Sequence, residues 1–297
     1  MVEIRQRRIE VDGDGVGLWE AGPADAPLAL FAHCSLAFGG LWKGVMTRLA
    51  DRWRCVSVDM PGHGVSDRGD RALSLQHQAV AYVEGVAAEV GAGAGGAHLV
   101  GLSLGGAVMG RVAAKAPELA RSLTMIEPVF FHLLTGRESA ISTENDDSMA
   151  PVHDACREGR FHDGARAFME RWGQPGQFDR MPAKARDAVA RALSYLAEDF
   201  DMVGGWPPGQ ISREALAAIA APVLLIQGEK TRDSAKAILD ELQALLPGAE
   251  RFEAPGAGHL SPVDDPERIA ARLARFFSEV EAAEPHVSRR LSRAAPV

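Results

Sequence analysis

The chain has 297 residues, 46% of them hydrophobic and 24% charged, and a net charge of −8. This composition excludes a disordered chain, and the length calls for one large domain or two around a substantial core. The acidic balance excludes a general nucleic-acid or anionic-membrane binder, because such partners select positive surfaces.

Residues 5–11 and 15–21 read as a hairpin around a Gly- and Asp-rich turn. Residues 28–32, 55–58, 98–101 and 123–126 are short apolar runs of the kind that form buried strands, and 223–227 and 250–253 extend the series. Between them, Leu75, Ala79, Val83, Val86 and Val90 recur at helical spacing. Ile269, Leu273, Phe276 and Val280 do so again after Pro266, a residue suited to a first helical turn. Continuous apolar strands separated by helices predict an α/β fold with a mostly parallel central sheet flanked by helices.

The alternation pauses between Pro128 and about Ser212, where 165–172 and 183–196 are predicted helices and no strand is evident. This predicts a helical cap over 129–212, inserted between core segments 1–128 and 213–284. Residues 285–297 carry Arg289, Arg290 and Arg293 with little apolar content and read as a flexible tail. The opening MVEIRQRRIE lacks the apolar stretch of a secretory signal, and no apolar run approaches the ~20 residues of a membrane span. Cys34, Cys55 and Cys156 are scattered and odd in number, which points to a reducing, cytoplasmic setting. A homo-oligomer is compatible with this composition.

Residues 98–106 read HLVGLSLGG, in which Gly101-Leu102-Ser103-Leu104-Gly105 matches G-x-S-x-G. A predicted strand precedes the motif and a helical run over 104–116 follows, stopped by Pro117. A strand that turns at once into a helix strains the turn residue, and the flanking glycines leave room for that turn. The serine oxygen is then presented beside a helix N-terminus, which favours developing negative charge. A serine hydroxyl also needs a base within hydrogen-bond reach. Of nine histidines, His259 follows the late strand, ends a Gly-rich loop and precedes the last helix. His33 and His63 are expected to shape loops. His77, His98, His132, His153, His162 and His286 are read as structural or exposed.

With these segments the chain resembles the α/β-hydrolase fold family. LFAHCSLAFGGLW from Leu30 is similar to the family's His-Gly segment after the third strand. DMPGHGVS from Asp59 is close to its D-x-x-G-x-G-x-S turn, and GAGH from Gly256 to its histidine loop. The resemblance runs in family order from about residue 28 to 280, and the family's cap falls where the alternation pauses. It implies a cofactor-independent serine hydrolase with Ser103 as nucleophile and His259 as general base. The backbone N–H groups of Leu104 and Ser35 are the implied oxyanion donors. Cys34 stands where the family has glycine, which could crowd that loop.

The acid departs from the family. Where G-x-x-D is usual, this chain reads Gly228-Glu229-Lys230-Thr231, and threonine cannot hold the charge that an imidazolium needs. Three carboxylates remain open. Glu127 ends the strand after the nucleophile helix, the position from which certain haloalkane dehalogenases of the family take their acid. Asp233 lies two residues past the usual site and also suits a helix N-cap. Glu229 is the third.

Two motifs are set aside. Residues 91–96 satisfy G-x-G-x-x-G, but they end a helix and precede a strand, the reverse of a dinucleotide loop. Asp59, Asp67 and Asp70 sit in a turn rather than a metal-ligand pattern, and CxxC and HExxH are lacking, so neither cofactor nor metal is expected.

Residues 130–206 hold half of the chain's aromatic residues, including Trp172, Tyr195 and Trp206, with Met149, Met169, Met181 and Met202. Part of this must be the cap's own core. The rest predicts an apolar cleft and a modest, uncharged, largely apolar acyl substrate. Arg137, Arg157 and Arg160 are read as surface residues rather than carboxylate binders. The expected activity is cleavage of an ester-like bond of a small molecule through an acyl-enzyme. C–C bond hydrolysis, lactone opening and peracid formation use the same residues. A serine nucleophile argues against dehalogenase and epoxide hydrolase chemistry. The missing family acid and Cys34 also leave open a low-turnover ligand-binding receptor on the same scaffold.

Overall fold

The computed structural model describes residues 2–70, 73–93, 95–134, 140–198 and 210–291. Eight strands form one sheet: β1 (Arg5–Val11), β2 (Asp14–Ala21), β3 (Leu28–Ala32), β4 (Arg54–Val58), β5 (Ala97–Leu102), β6 (Ala120–Ile126), β7 (Val223–Gly228) and β8 (Glu250–Ala254). Their order is β1-β2-β4-β3-β5-β6-β7-β8. β1 and β2 pair antiparallel, as do β2 and β4, and every later pairing is parallel. The fold is the mostly parallel α/β sheet that the apolar alternation predicts.

The burial patterns show why each run takes its place. β3, β5 and β7 are buried at every residue, as strands covered on both faces must be. β1 alternates exposed and half-buried residues and carries Arg5, Arg7, Arg8 and Glu10, which blunt an open edge. The expected hairpin turn tightens to Asp12 and Gly13, both at positive φ.

The helices are α1 (Lys43–Leu49), α2 (Leu75–Glu89), α3 (Leu104–Lys115), α4 (Ala140–Arg157), α5 (Phe161–Trp172), α6 (Gln177–Arg180), α7 (Ala183–Glu198), α8 (Arg213–Ala217), α9 (Asp233–Leu245), α10 (Ser261–Asp264) and α11 (Pro266–Leu291). One hydrophobic cluster joins the sheet to α2, α3, α8 and α9, and a second joins its other face to α1 and α11. Between β6 and β7 the described residues form helices and no strand. There a third cluster, with Val152, Phe178, Val189 and Leu193 at its centre, gives α4 to α7 a core of their own.

One helix was not expected and one expectation changes. α4 was not legible, because its polar face interrupts the apolar period. α11 runs to Leu291, so the tail expected from Pro285 begins inside a helix. Its Ala, Glu and Arg residues are good helix formers, which lets the helix continue past its buried part. Arg137, Phe200, Met202, Trp206 and the end of the tail lie outside the described residues, as does the side chain of His286.

Candidate active site

Ser103 sits between β5 and α3 at φ 56° and ψ −115°, a strained conformation for a residue with a Cβ. The neighbouring glycines explain how it is tolerated. A Cβ on Gly101 would stand 2.1 Å from the Gly105 carbonyl oxygen, and one on Gly105 would stand 2.2 Å from that of Ala32. The G-x-S-x-G spacing is thus a packing requirement: α3 presses onto the ends of β3 and β5 where only hydrogen fits. The Ser103 N–H donates to the Ile126 carbonyl at 2.8 Å, which ties the turn to the end of β6.

Glu127 follows that end directly, also at positive φ (43°), and its side chain is buried. Three donors hold its carboxylate. The Gly228 N–H reaches Oε1 at 2.8 Å, and the Thr231 hydroxyl reaches Oε2 at 2.5 Å. His259 Nδ1 lies 2.6 Å from the same Oε2. An ionised carboxylate only accepts, so Nδ1 carries the proton there and the lone pair is left on Nε2.

Thr231, at the family's usual acid position, therefore donates to the Glu127 carboxylate. Asp233 is exposed at the start of α9, 4.0 Å from Lys236, and does not join this group. Glu229 accepts from the Gly256 N–H at 2.6 Å and braces the histidine loop from outside. Lys230 N–H donates to Ala257 O at 2.9 Å, so the segment after β7 is laced to the same loop.

Ser103, Leu104, Ser35, Cys34 and His259 all line one cavity of about 460 Å³. A first-turn helical N–H such as that of Leu104 has no acceptor within its helix. Two buried histidines shape the loop that carries Ser35. His33 Nε2 accepts from Met60 N–H at 3.0 Å while its Nδ1 faces Cys34 O at 2.8 Å. His63 Nε2 accepts from Leu36 N–H at 3.3 Å while its Nδ1 faces Pro61 O at 2.9 Å. Each ring must therefore be neutral. Burial pushes His33 down to about 4 and, with His33 beside it, His63 down to about 3. The Leu36 N–H is thus taken up by His63, and Ser35 lines the cavity beside Cys34 and Leu36.

Cys34 is buried, and burial pushes its thiol up to about 12, so it is a neutral small apolar group. The Asp59 carboxylate accepts from the N–H groups of Gly39 and Val65 and from Trp19 Nε1, as a turn-organising residue does.

The helical insertion supplies much of the remaining wall, including Met149, Phe168, Met169, Trp172 and Met181. The Trp172 ring lies 4.9 Å from that of His259. His153, read from sequence as structural or exposed, lines the cavity too. Arg157 pairs with Asp154, and Arg160 with Glu158 and Asp163, in keeping with a surface role. Sequence reasoning missed Thr231, Gly228 and Trp172 as neighbours of the His259–Glu127 pair. Thr231 left one signal: a hydroxyl donor where a carboxylate is usual implies a carboxylate arriving from elsewhere.

The sequence profile of the Alpha/beta hydrolase family matches residues 29–272. A 2-(acetamidomethylene)succinate hydrolase of Mesorhizobium japonicum is 28% identical over 282 residues, covering 91% of this chain and 94% of its own. A carboxylesterase of Bacillus subtilis is 25% identical, covering 86% of this chain and 82% of its own. The crystal structure of an enol-lactonase from Burkholderia xenovorans superposes with a TM-score of 0.72 at 19% identity, covering 92% of this chain and all of that one (100%). At that identity the likeness is one of fold.

Proposed function

The chain belongs to the alpha/beta hydrolase family, and from that premise we propose that it is a serine hydrolase cleaving an ester-like bond of a small, largely apolar substrate. The observation that carries this reading is the buried Glu127 carboxylate 2.6 Å from His259 Nδ1, with Ser103 and His259 on one cavity.

Ser103 Oγ attacks the acyl carbonyl while His259 Nε2 takes its proton. Glu127 keeps Nδ1 protonated and balances the imidazolium that forms. The carbonyl oxygen becomes an oxyanion facing the N–H groups of Leu104 and Ser35, each worth about 3–4 kcal/mol of barrier in comparable sites. Collapse of the intermediate expels the alcohol, which takes the proton from His259. Water, deprotonated by the same imidazole, attacks the acyl-Ser103 ester. The acid leaves and Ser103 is restored with its proton. The helical insertion acts as a cap that shields these steps from bulk water. Relatives named as a carboxylesterase and a 2-(acetamidomethylene)succinate hydrolase support hydrolysis as the reaction class.

Labelling with a fluorophosphonate and turnover of short p-nitrophenyl esters test the reading. Wild type is expected to be labelled and to turn over, and Ser103→Ala to do neither. Labelling that survives Ser103→Ala, or ligand binding with no turnover in wild type, overturns it in favour of another nucleophile or a receptor.

A further inference from the structure

Given the serine-hydrolase reading, the cavity wall also carries information about the substrate's second end. No Asp, Glu or Lys is among its described lining residues, and Arg191 on α7 is the one Arg. Neighbouring arginines of the insertion are committed. Arg157 and Arg160 are ion-paired, Arg166 pairs with Asp163 and Asp179, and Arg186 donates to the carbonyls of Asp179 and Met181. Among the described residues the Arg191 guanidinium makes no ion pair and no hydrogen bond. Arginine keeps its proton at any working pH, so the exposed Arg191 side chain brings a permanent positive charge to a mostly apolar cavity, with no counter-ion among the described residues.

Gln76, the second residue of α2, lines the same cavity. Its Oε1 accepts from Arg111 Nε at 2.9 Å. An arginine offers only donors, so the Gln76 amide must turn its oxygen to Arg111 and keep its NH2 end available to donate elsewhere. Both residues line the same cavity, Arg191 from α7 and Gln76 from α2. The Tyr195 ring, one turn beyond Arg191, sits where a Cβ on Gly62 would be 2.3 Å from it, and Arg68 pairs with Glu198 at the end of α7 at 2.7 Å. The latter half of α7 is thereby held against the 62–68 turn that leads into α2.

We propose that Arg191 and Gln76 form a carboxylate subsite, so that the substrate is an acyl compound carrying a second, ionised carboxylate besides the bond that Ser103 attacks. A guanidinium fork and an amide NH2 are matched donors for a carboxylate, and the apolar stretch of wall takes the carbon chain between. This departs from the uncharged substrate expected from sequence, which weighed the aromatic and Met content but not the position of Arg191. The protein as a whole is acidic, so a local cation is what would let an anion enter.

The test uses two p-nitrophenyl esters of adipate that differ in one group: the free mono-acid and its methyl ester. Wild type is expected to favour the acid in kcat/KM by about fivefold, mainly through KM, with the preference shrinking as salt is raised. Arg191→Gln should bring the ratio of the two substrates close to one, and Arg191→Lys should keep part of it. A wild-type ratio near one, or a ratio unchanged in Arg191→Gln, overturns the subsite. Calorimetric binding of adipate to Ser103→Ala, with and without Arg191→Gln, reads the subsite without turnover. Equal binding in both also overturns it. Loss of labelling and turnover together with Arg191-dependent adipate binding would instead sink the hydrolase reading and leave the subsite standing.

Discussion

Ser103 and Glu127 are two residues with side chains held in the left-handed region, at the ends of the adjacent strands β5 and β6. Such strain costs on the order of 1–3 kcal/mol per residue and persists only where surrounding contacts over-determine it. Here those contacts are the close packing at Gly101 and Gly105 and the three donors on the Glu127 carboxylate. Gly105→Ala is expected to cost more than about 3 kcal/mol, because its Cβ would overlap backbone that cannot step aside. Loss of soluble protein, or a large fall in denaturant midpoint, is the readout. A well-folded, active Gly105→Ala protein would refute the packing account. Glu127→Gln keeps the shape but removes the charge that balances the imidazolium. It should lower kcat by roughly 1000-fold in a folded protein, while Asp233→Asn stays within about twofold of wild type. Steady-state kinetics on one p-nitrophenyl ester separates the two, and comparable losses in both variants would contradict the assignment.

At the scale of elements, the segment 228–232 does two jobs within five residues. Gly228 and Thr231 hold Glu127, and Arg232 reaches across to the insertion. Its Nε and Nη2 donate to the Arg171 carbonyl at 3.0 and 2.8 Å. That carbonyl belongs to the last turn of α5, where no intrahelical donor remains and a cation offsets the negative end of the helix. The Arg232 guanidinium also lies 5.8 Å from the Trp172 ring, the ring that packs beside His259. Docking of the insertion and the placement of the His259–Glu127 pair are therefore joined by one short loop. Arg232→Ala should release the end of α5, speed amide exchange over 168–172 and lower kcat/KM about tenfold, with Arg232→Lys in between. Exchange that stays as slow as in wild type would show that α5 is held by other contacts.

For the whole molecule, His33 and His63 link stability to pH. Both are held neutral in the folded state, at about 4 and about 3, well below the value of about 6.5 for an exposed imidazole. The unfolded chain binds more protons between those limits, so the stabilisation is present above about pH 6.5 and is lost as pH falls through the window. The urea midpoint should fall from pH 7 to pH 5, before most carboxylates titrate, and replacing both rings by Gln should flatten that slope. A midpoint independent of pH over this range would refute the link. Because these rings staple the Ser35 loop, activity should fail on the same side.

What the linear chain determined by itself is the part ruled by local physics. Runs such as 28–32 and 223–226 are apolar at every position and short, which suits strands buried on both faces. G-x-S-x-G between a strand and a helix placed Ser103, and the break in alternation after Pro128 marked where the described residues turn to helices between β6 and β7. The partner of His259 was not decidable in this way. Glu127, Asp233 and Glu229 are equally acidic in the sequence, and only parallel pairing of β6 with β7 sets the end of one strand beside the end of the next, where Glu127 meets Thr231 and His259. Likewise Arg191 is one arginine among many until α7 is packed. Ion-pair partners and cavity walls are long-range matters, fixed by which elements touch, and a one-dimensional pattern carries no distance between residues a hundred positions apart.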